Sequence, residues 1–415
     1  MTAADHSIAG AGAMPARPAR VAMVEPVGGH GGMDFWNHSL CNALAAAGWQ
    51  PVLLTSQAMH DPADAYDAWN VFHGVFGPDP KWRRGLRHVS ATIRGLWRAR
   101  RLGARIAHFH MFHVGLLQYF GVVLARAFGM RVVLSAHDVG SFRGGEWPWL
   151  LRRLYRTSDG IIAYSDQGRR TLAEAFAVPA HKTFVVPLGN FTAFLPPLPP
   201  KTPSKASFGY TDDDFVLLFF GQLKKVKRLD VLLRATALAR RRGADRLRLL
   251  VAGSAADSDM ASLQQLIADE GLHGVVQMHV RYVSNEDLPR YFAAADLAVL
   301  PYDHIFQSGV VLLTMSNGIP VLTSDIPGML EVIDHGVSGL TFRAGDPDDL
   351  ADALIAAAGG RWDLSKLSAA AKGLIDGRYS WQTCARATIA AYRGADEVAH
   401  QSFATGGRPS GSGAS

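Results

Sequence analysis

The residues whose types and spacing most clearly suggest chemistry lie in the run FFGQLKKVKRLD, residues 219–230. Lys224, Lys225, Lys227 and Arg228 follow an apolar run, residues 216–219, together with Gly221 and Gln222. They precede VLLRATALARRRG, which reads as a helix. A helix start exposes unpaired N–H groups and the positive end of the peptide dipole. Cations stacked there repel one another unless an anion sits among them, and a phosphate is the natural occupant. The competing reading is a solvated basic turn. The position at the carboxyl end of an apolar strand favours phosphate.

Two other stretches could handle phosphate. EPVGGHGGMDFWN, residues 25–37, holds Gly28, Gly29, Gly31 and Gly32, which let backbone approach a ligand closely. It fits the dinucleotide fingerprint poorly: Asp34 stands where a third small residue belongs, and VLLTS ends without the acidic residue that would hold a ribose. A nicotinamide-dependent dehydrogenase is therefore disfavoured, and a plain turn competes. In YDHIFQSGVVLLTMSNGIPVLTSD, residues 302–325, Ser308 reads as the cap of a helix. The N–H groups beside it, at Gly309 and Val310, could hold a second phosphate. A capped core helix is the stronger reading of that stretch taken alone.

Histidines offer another kind of chemistry. His108, His110 and His113 surround the end of one apolar run and His137 ends the next. No cysteine or acidic set accompanies them, so a metal triad is not expected. His137, in the pair His137-Asp138 at a strand end, is the histidine expected to act, with His110 and Asp138 towards an acceptor. The Asp212/Asp214 and Asp257/Asp259 pairs could hold a cation on a diphosphate, but turn and cap roles suit their settings better. No catalytic metal and no cofactor are expected.

What positions these residues is an alternation of strand and helix. RVAMVE, QPVLLTS, RIAHFHM, RVVLSAHD, GIIAYS and TFVVPLG recur in the first half as continuous apolar runs, which suit strands buried on both faces. FVLLFFG, LRLLVAGS, VVQMHVRYV, LAVLPY, IPVLTSD and GLTFRAG repeat the pattern in the second half. With 415 residues there is length for two cores. The fold class expected is α/β, two Rossmann-like doubly wound domains with ligands at the carboxyl strand ends, in a cleft between the domains. The boundaries read as a disordered tail at 1–18, a first domain at 19–190, a proline-rich linker at 191–204, a second domain at 205–380, a helix at 381–400 and a Gly/Ser-rich disordered tail at 401–415.

Composition limits the partners. Hydrophobic residues make up 48%, charged residues 19%, and the net charge is +6, which favours an anionic partner. Two cysteines, Cys41 and Cys384, do not make a disulfide framework, and the first residues hold no apolar core for export, so a cytoplasmic setting is expected. No nucleic-acid motif is present. Residues 82–105, WRRGLRHVSATIRGLWRARRLGAR, hold eight arginines, with Leu86, Val89, Ile93 and Leu96 or Trp97 on one helical face. A basic amphipathic helix of this kind can lie on an anionic membrane surface, the inner face of the plasma membrane being the expected one. An ordinary helix with an arginine-rich solvent face is the alternative.

FFGQLKKVKRLDVLLRA, AAADLAVLPY, SNGIPVLTSDIPGMLEVIDHGVSGL and GDPDDLADAL resemble the second half of the retaining GT-B glycosyltransferases of family 4. GGMDFWNHSLCNALAAAGWQPVLLT, RVVLSAHD and VVPLGN resemble its first half, and SWQTCARATIAAYR its last helix. The likeness runs from about residue 19 to 396. It implies a nucleotide-sugar donor on the second domain, an acceptor mainly on the first, and retention of configuration. It places the family's phosphate-binding lysine at Lys227 and its arginine partner at Gln222, which carries no charge, leaving Arg228 or Lys225 to compensate. It places the glycine loop at Gly31-Gly32, the first-domain histidine at His137, and the base-contacting loop around Tyr282. The family's paired glutamates fall on Ile305 and Leu313, with Thr314 next to the second. Glu331 is expected to cap rather than catalyse. The resulting expectation is sugar transfer from a nucleoside diphosphate to a glycan or lipid-linked saccharide in bacterial polysaccharide or glycolipid synthesis. The alternatives are a sugar-nucleotide epimerase, or a non-catalytic nucleotide-sugar-binding protein.

Overall fold

A computed structural model describes residues 19–28, 33–57, 64–112, 114–137, 139, 147–255 and 259–405. Seven strands form one sheet: β1 (Arg20–Glu25), β2 (Gln50–Thr55), β3 (Asp67–Trp69), β4 (Ile106–Met111), β5 (Arg131–Ala136), β6 (Gly160–Ala163) and β7 (Thr183–Val185), in the order β3-β2-β1-β4-β5-β6-β7. Six more form a second: β8 (Phe215–Phe220), β9 (Leu247–Ala252), β10 (Val276–His279), β11 (Leu297–Leu300), β12 (Val321–Ser324) and β13 (Leu340–Phe342), in the order β10-β9-β8-β11-β12-β13. Pairing is parallel, as between β1 and β4 and between β8 and β11. The strand order reverses at β1/β4 in the first sheet and at β8/β11 in the second. Open parallel sheets bind ligands at the carboxyl ends of the strands flanking such reversals.

The helices of the first half are α1 (Met33–Ala46), α2 (Lys81–Arg101), α3 (Leu116–Ala127), α4 (Pro148–Thr157) and α5 (Asp166–Phe176). Then follow α6 (Lys201–Ala206), α7 (Leu229–Arg241), α8 (Met260–Asp269), α9 (Leu288–Ala294), α10 (Gly309–Ser316), α11 (Pro327–Leu330), α12 (Pro347–Ala358), α13 (Leu364–Asp376) and α14 (Trp381–Thr405). Within the described residues, one compact unit takes 19–137, 147–162 and 388–405, and the other takes 139 and 163–387.

β8 shows why the strands read as unbroken apolar runs. Leu217 and Phe219 enter one core layer with Leu232 of α7 and Leu350 of α12. Val216, Leu218 and Phe220 enter another with Phe292 of α9. Both faces of the strand are therefore covered. The twelve expected runs all contain a strand. β3 has no such signal, being three half-exposed residues at a sheet edge. The proline-rich stretch read as a linker leads into α6, whose Pro200 cap and first-turn Pro203 sit where a helix needs no donor. α14 runs five residues past its expected end, and counts with the first unit from Thr388.

Candidate functional site

In the second unit the reversal point gathers three features. β8 ends at Gly221, whose φ of 102° and close surroundings suit glycine: an added Cβ would lie 2.8 Å from Lys227 Nζ and 3.1 Å from Val310 Cγ2. The equivalent glycine after β9, Gly253, has φ 150°, and an added Cβ would collide with the Gly221 carbonyl. The basic run forms a short 3₁₀ turn, Lys225–Lys227, which folds Lys227 back over the strand end. After β11 the chain passes Tyr302 and enters α10, with Val310 in its first turn. The lysine, a glycine at the strand end and a helix N-terminus thus converge on one spot.

Lys227 is 8% exposed, and its ammonium lies 5.2 Å from the centre of the Tyr302 ring. It has no carboxylate partner among the described residues. Burial, aided by the neighbouring charge of Lys224, pushes its pKa down to about 8. An unpaired cation in such a place is costly, and an anion would relieve the cost. Ser308 caps α10, its hydroxyl accepting from the Val311 N–H at 3.3 Å. The N–H groups of Gly309 and Val310 are among the first-turn donors that the helix itself leaves unpaired.

Other expected donor-side residues lie differently. Arg228 does not stand free to replace a missing arginine. In a left-handed conformation (φ 50°), it bonds Asp230 at 3.0 Å and Asp303 at 2.8 Å, and these hydrogen bonds, Asp230's foremost, hold its pKa up. Thr314 is fully buried and its hydroxyl donates to the Val310 carbonyl at 2.7 Å. Gln222 is exposed, and Tyr282 is 73% exposed beside the Arg281–Asp287 pair. Glu331 caps: its carboxylate accepts from the Asp166 and Gln167 N–H groups of α5 at 2.8 and 2.7 Å. Asp259 caps α8, and Asp214 closes a turn by accepting from Thr211.

In the first unit the histidines form a connected buried group. His108 and His110 are on one face of β4, ring centres 4.6 Å apart. His108 is held on both nitrogens, by Tyr392 of α14 and Ser135 of β5, each at 2.8 Å. His110 Nδ1 lies 3.0 Å from His137 Nε2. Trp36 meets both of these rings edge-on, and Phe112 stacks on His137 at 4.4 Å. Loss of solvent pushes His108 and His137 down to about 3, and His110 down as well, so all three are neutral near pH 7. Among the described residues no group of three His, Cys, Asp or Glu is placed to hold a metal ion, and no helix is long and apolar enough to cross a membrane. Gly31, Gly32, His113, Asp138 and Asp257 lie outside the described residues. Just before the glycine loop, buried Glu25 accepts from the N–H groups of Val27 and Gly28, each at 2.8 Å, and from Asn37 at 2.9 Å. Burial nonetheless raises its pKa against the pull of those bonds.

A cavity of about 340 Å³ opens at the carboxyl ends of β1 and β4, the first sheet's reversal point. Val24, Phe109 and Met111 line the strand side, and His110 reaches it too. α2 supplies Lys81, Arg84 and His88. The sequence reading did not name Lys81 or Arg84 as site residues, because it turned the arginines of residues 82–105 outward, towards an anionic membrane surface or, in the alternative, solvent. It also missed Gly253 and Tyr302. Gly253 had a readable signal, since LRLLVAG repeats the pattern of FVLLFFG.

Two parallel α/β units, each with candidate ligand groups at a strand-order reversal, define a nucleotide- or sugar-handling protein of doubly wound type. The comparisons narrow the class. The profile described as "Glycosyl transferases group 1" matches residues 214–359, and that described as "Glycosyltransferase Family 4" matches residues 30–190. The chain is 29% identical over 400 residues to a D-inositol 3-phosphate glycosyltransferase of Arthrobacter sp. (strain FB24), spanning 89% of this chain and 91% of that one. Its fold is similar to that of sucrose-phosphate synthase from Thermosynechococcus elongatus, with a TM-score of 0.70 at 19% identity, covering 93% and 100% of the two chains. It is also similar to Anabaena HepE solved with UDP-glucose, with a TM-score of 0.68 at 17% identity, covering 92% and 99%. The chain belongs to the group 1, family 4 glycosyltransferases and has their GT-B fold.

Proposed function

We propose that this glycosyltransferase moves a sugar from a nucleoside diphosphate to a hydroxyl of a glycan or lipid-linked acceptor, with retention and without a metal ion. The observation that carries the reading is the Lys227 ammonium, buried against Gly221 at the start of α10 with no carboxylate partner among the described residues. In the reaction the acceptor oxygen bonds the anomeric carbon as the bond from that carbon to the β-phosphate oxygen breaks. The electron pair leaves with the diphosphate, which takes up the hydroxyl proton. Negative charge therefore grows on the leaving group, where Lys227 and the α10 N–H groups stabilise it. Charge-assisted bonds of this type contribute roughly 1.5–3 kcal/mol each. His137, neutral and held by His110, serves as a hydrogen-bonding group for the reacting sugar. The solved relative that holds UDP-glucose makes a uridine nucleotide the first donor to try.

The outer face of α2 supports an anionic membrane surface as a partner. The structure corrects the expected apolar face: Leu96 is buried with Ala91, Thr92 and Gly95, whereas Trp82, Leu86, Ile93 and Trp97 are exposed. α3 adds exposed Leu116 and Val123, and α4 adds Trp149 with Trp147 at its cap. Residues 81–157 contain fifteen Lys and Arg against two Asp and Glu. Exposed tryptophans among arginines match an anionic lipid interface, each basic residue near it contributing about 1 kcal/mol.

Two measurements test the reading. UDP-, GDP-, ADP- and dTDP-sugars are screened by thermal shift, and the ligand that binds is then offered with an acceptor panel. Turnover without any acceptor would replace transfer by epimerisation, and binding with no turnover across the panel would leave a binding protein. Co-sedimentation with anionic vesicles at low salt tests the membrane face, which fails if neutral and anionic vesicles retain the chain equally.

A further inference from the structure

Three histidines pack together in the first unit, but only two of them share a hydrogen bond. His108 commits both ring nitrogens elsewhere, to Tyr392 and Ser135. His110 Nδ1 faces His137 Nε2 at 3.0 Å, with the ring centres 5.3 Å apart and the planes tilted by 35°. Trp36 stands edge-on to both rings and Phe112 stacks on His137, which holds the ring planes in place.

Both rings are neutral, since burial holds their pKa values well below the ordinary histidine value. A neutral imidazole carries one N–H and one bare nitrogen. Two arrangements therefore satisfy the contact. In one, His110 Nδ1–H donates, His110 Nε2 is bare, and His137 carries its hydrogen on Nδ1. In the other, His137 Nε2–H donates, His110 carries its hydrogen on Nε2, and His137 Nδ1 is bare. The two differ at both outer nitrogens, so the state of His110 Nε2 dictates the state of His137 Nδ1.

His110 Nε2 decides between them. It is buried without a hydrogen-bond partner, in a side chain that is 5% exposed. The rings packed on His110 offer no acceptor: both His108 nitrogens are taken, and the Trp36 indole nitrogen can only donate. A hydrogen on Nε2 would be a buried N–H without an acceptor, which folded proteins rarely leave. A bare nitrogen carries no such donor.

We infer that His110 is a positioning residue that fixes the tautomer of His137: His110 Nδ1–H donates to His137 Nε2, and His137 meets the sugar through Nδ1–H, as a donor. The inference rests on the reading of His137 as the histidine at the reacting sugar, and gives that residue its polarity. A histidine held this way has no lone pair to take the acceptor's proton. That agrees with passage of the proton to the leaving diphosphate.

Long-range proton–nitrogen NMR correlation spectra of the full chain with isotope-labelled histidine test it, alongside calorimetric titration with UDP and UDP-glucose. In the unliganded wild type His137 should carry its hydrogen on Nδ1. His110→Phe keeps a ring and removes both nitrogens, so His137 should lose that fixed state. The variant should also bind UDP-glucose, relative to UDP, about ten-fold more weakly than wild type does, the effect of one hydrogen bond no longer oriented. His110→Asn keeps an N–H donor at the position of Nδ1, and should hold the tautomer and recover most of the difference. The inference is overturned if His137 carries its hydrogen on Nε2 in wild type, or if its Nδ1–H state persists in His110→Phe. It is also overturned if His110→Phe weakens UDP and UDP-glucose alike, as loss of a purely structural residue would. A His137→Ala chain that binds UDP-glucose relative to UDP as wild type does refutes the reading of His137 at the sugar, and leaves the tautomer to be judged by the spectra.

Discussion

Replacing Lys227 with methionine should make the unliganded protein more stable and nearly blind to its donor. Methionine keeps the length and apolar stem of lysine and removes the ammonium. A fall of the Lys227 pKa from 10.5 to about 8 corresponds to roughly 3 kcal/mol of penalty on the charged form in the folded chain. The lysine is 8% exposed and has no carboxylate partner among the described residues, so little solvent or counter-charge offsets that penalty. The sign follows from linkage. The folded state binds this proton more weakly than the unfolded state, so the penalty is complete below about pH 8. It shrinks as pH rises and is gone above the unfolded value of 10.5. The variant lacks the group and shows no such rise.

Urea unfolding of both proteins, without nucleotide, from pH 7 to pH 10 reads this directly. Lys227→Met should exceed wild type by about 1–3 kcal/mol at pH 7, with the gap closing towards pH 10. In the same preparations UDP should raise the melting temperature of wild type and leave the variant unmoved. A variant that is less stable at pH 7, or one that still responds fully to UDP, would show that Lys227 is a structural residue and not a phosphate ligand.

The same titration sets the pH dependence of donor affinity: UDP binding should weaken roughly ten-fold from pH 7 to pH 9 as the free ammonium loses its proton, which isothermal calorimetry measures. His110 and His137 are held neutral by burial, so their ring signals should not titrate between pH 5 and pH 8 in an NMR series, and turnover should show no histidine-like limb there. Gly253→Ala places a Cβ against the Gly221 carbonyl and should lower donor affinity, read by calorimetry, more than Gly243→Ala, which has open space around it. Tyr392→Phe removes a bond to His108 and should cost about 1 kcal/mol in urea unfolding while UDP affinity stays unchanged.

The sheets were legible because parallel strands buried on both faces leave continuous apolar runs. RVAMVE is β1 to the residue, and FVLLFF is β8. β3 was not legible because a three-residue edge strand, half-exposed, buries too little to leave a pattern. At the site, Gly221, Lys227 and Val310 were named from sequence, and the fold brings them together. Arg228 was named for its charge, yet sequence spacing could not reveal that Asp303, seventy-five positions away, would claim it. Thr314 was named for its register, and in α10 its hydroxyl is turned back onto the helix's own backbone.

α2 shows why charge is harder to read than hydrophobicity. Periodicity assigns apolar residues inward because burial is the default use of an apolar stripe. In α2 the buried stripe is made mostly of small residues, Ala91, Thr92, Gly95 and Ala99, with Leu96, while Trp82, Leu86, Ile93 and Trp97 are exposed. Gly95 explains the choice: an added Cβ would lie 3.1 Å from Leu54 on β2, so the helix packs close along a small-residue stripe. On that helix Arg84 and His88, half-buried, line the β1/β4 cavity, while Trp82 and Trp97 are exposed. Close packing along this stripe thus sets which way the rest of α2 points. The exposed tryptophans keep arginines over their rings, Arg83 on Trp82 and Arg101 on Trp97, so the outer face is aromatic and basic together.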